Sequence, residues 1–88
     1  MYDRLRGTIL LSLAILCIEI LSSDQGLGEM LAKCEKYHAW GVPYCWVIDP
    51  DKRTAWEYQA GGEPFKAPSV LHAGELSVQL TDLFSGLS

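Results

Sequence analysis

The sequence predicts a mixed α/β fold, and three features of the chain carry that prediction. An apolar stretch without charged residues runs over residues 7–18 and suits a buried β-strand. Apolar residues at helical spacing follow it, and two alternating segments around a turn come next, as in a β-hairpin. A strand, a helix and then hairpins are typical of a mixed sheet with one main helix.

The N-terminal apolar stretch is predicted to be a core strand that ends near residues 19–21. Arg4 and Arg6 precede it, as basic residues precede the apolar part of a secretory signal. However, Glu19 interrupts the apolar segment, and no small-residue cleavage site follows it cleanly. The stretch is also shorter than the roughly 20 residues that a membrane-spanning helix needs. We therefore expect no membrane contact.

Residues 28–40 are predicted to form an amphipathic helix. Its apolar positions are Leu27, Met30, Leu31, Cys34, Tyr37 and His38. Residues 22–24 (Ser-Ser-Asp) supply N-cap-competent side chains before the helix, Gly41 suits a C-terminal cap, and Pro43 prevents continuation.

The C-terminal half is predicted to consist of short strands joined by turns. Strands at 44–49 and 54–59 flank a turn at 50–52, and weaker strands near 69–71 and 76–80 precede a helical turn at 81–84. The side chains of Trp40, Trp46, Trp56 and Tyr58 are expected to pack in the core and across strands rather than to stack on bases.

The charge balance limits the kinds of function that are possible. The 88 residues carry 7 Lys and Arg against 11 Asp and Glu, which gives a net charge of −4. This balance argues against strong autonomous nucleic-acid binding, which normally uses a basic face. It remains compatible with a metal-dependent nuclease, whose site is built from carboxylates. The 49% hydrophobic content requires a core or a partner.

The cysteine pattern indicates a reduced, cytoplasmic protein. Three cysteines (Cys17, Cys34 and Cys45) without a CxxC spacing argue against a disulfide framework and a structural zinc site, so all three are predicted to be small core residues. Cys34 and His38 lie four residues apart on one helix face, a spacing that can bind a metal, but no further ligands are evident.

Glu19 and Lys33 are the residues whose types and positions suggest chemistry. A carboxylate at the end of an apolar strand is costly to bury unless it meets a cation or water. Hydrolysis of a phosphodiester needs carboxylates for a divalent metal, and a nearby lysine can stabilise the developing charge. The alternatives are an exposed strand-end Glu19 and a Lys33 that pairs with Glu29 along the helix. On spacing alone the exposed strand-end position of Glu19 is favoured, and helix geometry does not decide between the two roles of Lys33.

Several segments carry a resemblance to a known family. They are Ile-Glu-Ile-Leu-Ser at 18–22, Lys33, Tyr37, Gly-Val-Pro at 41–43 and Trp-Val-Ile-Asp-Pro at 46–50. With these segments the chain resembles the putative restriction endonuclease family, or Uma two family, of the PD-(D/E)XK nuclease superfamily, over residues 16–84. The resemblance implies a restriction-endonuclease-like fold and a Mg²⁺-dependent DNA endonuclease. Glu19 is then the metal-binding residue, and Lys33 is the catalytic lysine, placed on the helix because position 21 holds leucine.

The chain also departs from the family pattern. Family members are roughly twice as long, and their Pro-Asp metal ligand precedes the strand with the glutamate; Asp3 has a different context. We therefore expect residues 1–88 to form one partial, N-terminally truncated domain with an incomplete site. The alternative hypothesis is an inactive remnant that acts as a self-associating structural or interaction module, such as a homodimer, through an unpaired sheet edge and an apolar face.

Overall fold

The structure, a computed structural model, describes residues 2–3, 8–10 and 15–87. Their order along the chain is β1 (Tyr2–Asp3), β2 (Thr8–Leu10), β3 (Leu16–Ile20), α1 (Leu27–Ala39), β4 (Tyr44–Asp49), β5 (Thr54–Gln59), β6 (Phe65–Lys66), β7 (Val70–Ala73), β8 (Leu76–Gln79) and α2 (Leu80–Leu87). The mixed α/β prediction is confirmed.

The main sheet has six strands in the order β1-β2-β3-β4-β5-β6, and β7 and β8 form a separate hairpin. Strands β3 and β4 are parallel, while the other neighbours are antiparallel. A parallel pair needs a crossover connection, and α1 supplies it. In this register Glu19 of β3 lies beside Thr8 of β2 on one side and beside Val47 of β4 on the other.

Two hydrophobic clusters cover the two faces of the sheet, because successive strand residues point to opposite sides. The α1-facing cluster contains Cys17, Met30, Cys34, Val42, Cys45 and Val47. The opposite cluster contains Leu16, Trp46, Ile48, Ala55, Ala67, Leu71, Ala73, Leu80 and Phe84. Glu19 follows the parity of Cys17, so its side chain lies on the α1 face.

Helix α1 begins and ends within a residue of its predicted bounds. Gly41 has a φ of 95°, a left-handed conformation that glycine adopts without steric cost. Its N–H donates to the His38 carbonyl, and the Val42 N–H donates to the Tyr37 carbonyl. These bonds satisfy the end of the helix and turn the chain into β4.

The β7–β8 hairpin is held against the sheet by polar contacts as well as by apolar packing. Trp46 Nε1 donates to the His72 carbonyl at 2.9 Å. Glu57 Oε2 lies 2.8 Å from the His72 backbone nitrogen, which donates to it, and 3.0 Å from Nδ1 of the same residue. His72 therefore anchors the hairpin from β7.

The apolar stretch at the N-terminus contains β2 and the start of β3 rather than one strand. The sequence did not indicate that the chain reverses direction between β2 and β3, because residues 7–18 contain no charged residue to mark a turn. The contribution of Arg4 and Arg6 and of residues 11–14 lies outside the described residues. Within the part of the chain that is described, neither helix is long and apolar enough to cross a membrane.

Two packing predictions were wrong. Cys34 of α1 and Cys45 of β4 form a disulfide, because the helix crosses the strand with their Cα atoms 5.8 Å apart, within the usual range for this bond. Cys17 remains a free, buried thiol, as expected. Trp40 is 74% exposed at the end of α1, whereas Trp46 is buried and Trp56 and Tyr58 pack against the α1-facing cluster.

Candidate active site

Glu19 is a fully buried carboxylate in the main sheet. Its exposed fraction is 0%. Among the residues whose burial the structure describes, no other charged side chain is buried. The alternative of an exposed strand-end residue is therefore wrong. A buried carboxylate needs strong donors or a cation nearby, because its desolvation is costly.

Helix α1 supplies both kinds of partner. The Tyr37 hydroxyl donates a hydrogen bond to Glu19 Oε1 at 2.7 Å, and Lys33 Nζ lies 3.6 Å from the same oxygen. Lys33 and Tyr37 are four residues apart, so they project from one side of the helix. The structure thus brings the predicted pair, Glu19 and Lys33, to one place, while their catalytic roles stay predictions.

The position of Lys33 also decides between the two interpretations of its charge. Within the described ranges, its ion pair is with Glu19 and not with Glu29 on the preceding helical turn. The side chain is 27% exposed. Lys33 is therefore anchored at the buried carboxylate while part of its side chain remains in contact with solvent, where a ligand can reach it.

Tyr37 is the site residue that sequence reasoning missed. Its spacing placed it on the apolar face of α1, and the ring does pack against the α1-facing cluster. Its hydroxyl nevertheless reaches the buried carboxylate. The signal was available in principle, because a buried tyrosine usually finds a hydrogen-bond partner for its hydroxyl.

Cys17 is the thiol neighbour of this group. Its pKa is raised from 9.0 to about 12, chiefly by burial and then by the negative charge of Glu19, against the lowering effects of the Tyr37 hydrogen bond and the charge of Lys33. The thiol therefore stays protonated at neutral pH, and it does not act as a nucleophile there.

Alkaline pH is expected to destabilise the protein through Cys17. Because the folded-state pKa is raised above the ordinary value, the unfolded chain loses the thiol proton first, and stability falls between pH 9.0 and about 12. The contribution of this group is at most about 1.4 kcal/mol per pH unit. Urea unfolding of the protein and of Cys17→Ala, compared across this range, isolates it.

Below pH 9.0 the difference in unfolding free energy between the protein and Cys17→Ala should be constant. Above that pH, the protein should lose stability faster than the variant. Parallel curves over the whole range would show that Cys17 titrates normally, and rapid alkylation of the folded protein by iodoacetamide at neutral pH would lead to the same conclusion.

The other residues considered from the sequence have structural roles. Cys34 is bonded to Cys45, and the His38 ring nitrogen Nε2 lies 2.9 Å from the Tyr58 carbonyl oxygen, so these two residues do not form a metal pair. Asp49 Oδ1 accepts hydrogen bonds from the backbone N–H groups of Asp51 and Lys52, so this carboxylate holds the β4–β5 turn.

Donor chemistry at Glu19 fits one position of a magnesium site. A carboxylate oxygen is a hard ligand of the kind that Mg²⁺ prefers, and this ion usually keeps several waters besides one or two carboxylates. No group of three acidic, histidine or cysteine ligands occurs among the described residues. Glu19 would therefore supply one ligand of a weakly held ion, and the other ligands would have to be water and phosphate oxygens.

Comparison with known proteins gives one family match and a similar solved structure. The family model Uma2, described as a putative restriction endonuclease, matches residues 11–88. A putative nuclease of the DUF820 group from Anabaena variabilis has a similar structure, with a TM-score of 0.72 and 30% identity over 89% of this chain. The chain spans 48% of that nuclease's length. No curated protein matches the chain.

These similarities confirm the resemblance predicted from the residues. The mixed sheet, in which α1 connects the two parallel strands, is a restriction-endonuclease-like fold. The site described above lies within the matched part of the chain.

Proposed function

Because the chain belongs to the Uma2 family of putative restriction endonucleases, we propose that it is part of a DNA endonuclease that hydrolyses phosphodiester bonds with Mg²⁺. The observation that supports this proposal is the contact between Glu19 and Lys33 under the α1 helix. A nuclease of this kind acts where DNA is accessible, so we place it in the cytoplasm.

In this proposal Glu19 is the protein ligand of the ion. When bound, Mg²⁺ would polarise the phosphate and lower the pKa of an attacking water. Tyr37 fixes the orientation of the carboxylate through the hydrogen bond to Oε1. A fixed carboxylate binds an ion with less loss of conformational freedom.

Lys33 is proposed to stabilise the negative charge of the phosphate. Its ammonium group lies at the carboxylate, and its partly exposed side chain can turn a donor towards a substrate oxygen. A positioned cation beside a developing negative charge lowers the barrier most where water is excluded. In this proposal the negative charge of Glu19 binds the metal ion, and the positive charge of Lys33 stabilises the phosphate.

The chain covers about half of the nuclease that it resembles, so the activity of these residues alone is part of the proposal. Supercoiled plasmid with Mg²⁺ is the test. We expect slow nicking by the protein, and Glu19→Gln and Lys33→Met should each reduce it by about 100-fold or more.

Matched controls change the same residue types at positions outside the site. Glu35→Gln changes a carboxylate whose partner is the Tyr58 hydroxyl, and Lys52→Met removes an ammonium from the β4–β5 turn. Both variants should nick like the parent. Absence of nicking together with absence of Mn²⁺ binding in calorimetry would contradict the proposal and favour the inactive, self-associating remnant.

A further inference from the structure

Trp40 is a large, solvent-exposed aromatic side chain beside the Glu19–Lys33 site. It follows α1 directly and is 74% exposed, although an indole normally buries most of its surface. Its ring packs edge-to-face against Tyr37, with centroids 5.7 Å apart. Tyr37 in turn contacts Glu19, so the exposed indole is one residue removed from the buried carboxylate.

Helix geometry puts Trp40 in line with the site lysine. Lys33, Tyr37 and Trp40 occupy positions i, i+4 and i+7, which share one face of a helix. Seven residues correspond to about 10 Å along the axis. A ligand that contacts Lys33 therefore meets the indole within the length of one or two nucleotides.

The charges on this side of α1 indicate the sign of the ligand. Lys36 is exposed and lies one turn before Trp40, and Lys33 lies one turn before that. Glu29 carries the negative charge at the other end of the same side, in the first turn of the helix. The Glu19 carboxylate offsets the charge of Lys33. Lys36 is therefore the cation that favours an anionic strand at the Trp40 end, while Glu29 disfavours one at the other end.

We propose that Trp40 stacks on a base of the DNA strand whose phosphate lies at Lys33. The proposal rests on the proposed function, and it adds a requirement on the substrate. A base must leave its helical stack to meet a surface indole, so the strand is single-stranded or unpaired next to the scissile phosphate. Stacking on an aromatic side chain tolerates any base, because each base has a flat face.

Binding without Mg²⁺ tests this requirement separately from catalysis. A short single-stranded oligothymidine and an abasic strand of equal length offer the same phosphates, but only the first offers bases. We expect the oligothymidine to quench tryptophan fluorescence and to bind about tenfold more tightly than the abasic strand. A duplex of the same length keeps its bases stacked inside the helix, so it should not quench the tryptophan fluorescence as the oligothymidine does.

Three variants assign the effect to Trp40. Trp40→Ala should weaken oligothymidine binding about tenfold and leave abasic binding unchanged. Trp40→Phe keeps an aromatic face, so it should retain most of the affinity and lose most of the quenching. Phe65→Ala removes another exposed aromatic ring, 56% exposed on β6, and should change neither quantity.

Equal affinity for the two strands, or equal oligothymidine binding by the protein and Trp40→Ala, would overturn the stacking proposal. The proposed function would survive either result if plasmid nicking still depended on Glu19 and Lys33. Absence of nicking with oligothymidine stacking intact would have the opposite meaning, since the chain would then bind single strands without cleaving DNA.

Discussion

Trp46→Ala is expected to lower the free energy of unfolding by about 3–5 kcal/mol, the usual cost of a large-to-small change at a buried tryptophan. Trp46 is 3% exposed and lies in the cluster between the sheet and the β7–β8 hairpin. The change leaves a cavity and removes the donor that Trp46 Nε1 presents to the His72 carbonyl. Urea unfolding followed by circular dichroism measures the loss.

Two other substitutions separate the causes. Trp46→Phe keeps most of the ring volume and removes the hydrogen bond, so it should cost about 1–2 kcal/mol. Trp40→Ala changes the same residue type at an exposed position, and its effect should stay within about 0.5 kcal/mol. If Trp46→Ala lowered the free energy of unfolding as little as Trp40→Ala is expected to, the hairpin would not depend on the buried indole.

The contrast between these tryptophans shows what the sequence could not provide. Trp46 lies in an apolar run along β4 whose four central residues are all buried, so its burial follows from that run. Trp40 lies at the end of a helix, where the spacing of residues does not determine whether anything covers the ring. Its exposure depends on the path of the chain after Gly41, which is a tertiary property.

The candidate site was predictable to a greater extent. Lys33 lies beside Tyr37 on the margin of the helix's apolar face, and Glu19 ends an apolar strand, so a meeting of the two required only that α1 cover that strand. The family resemblance supplied the same pair. The Tyr37 hydrogen bond was not predicted, because helical spacing describes the ring and not its hydroxyl.

The cysteines were misread for a related reason. Cys34 and Cys45 lie on different elements, and their pairing depends on where α1 crosses β4. An odd number of cysteines argued against bridges, yet an odd number allows one bridge and one free thiol. In the register of the sheet, Cys17 lies beside Cys45, so all three cysteines meet under the helix.

Reduction of the Cys34–Cys45 disulfide is expected to lower the free energy of unfolding by about 3 kcal/mol, because the bond closes a short loop and restricts the unfolded chain. The two residues are 11 positions apart. For a domain of this size, such a loss corresponds to a melting temperature lower by about 12–24 °C. Urea unfolding with and without a phosphine reductant measures it.

Cys34→Ser is the matched control, since the reductant has no bond to break in this variant and should leave its stability unchanged. The site itself should persist after reduction. Helix α1 also keeps its buried Met30 and the hydrogen bond from Tyr37 to Glu19, and neither depends on the bridge. Below the lowered melting temperature, the reduced protein should therefore nick plasmid at the rate of the oxidised one. Since the cytoplasm keeps thiols reduced, a rate that fell with the disulfide would mean that the bridge positions Lys33, and it would contradict a cytoplasmic nuclease.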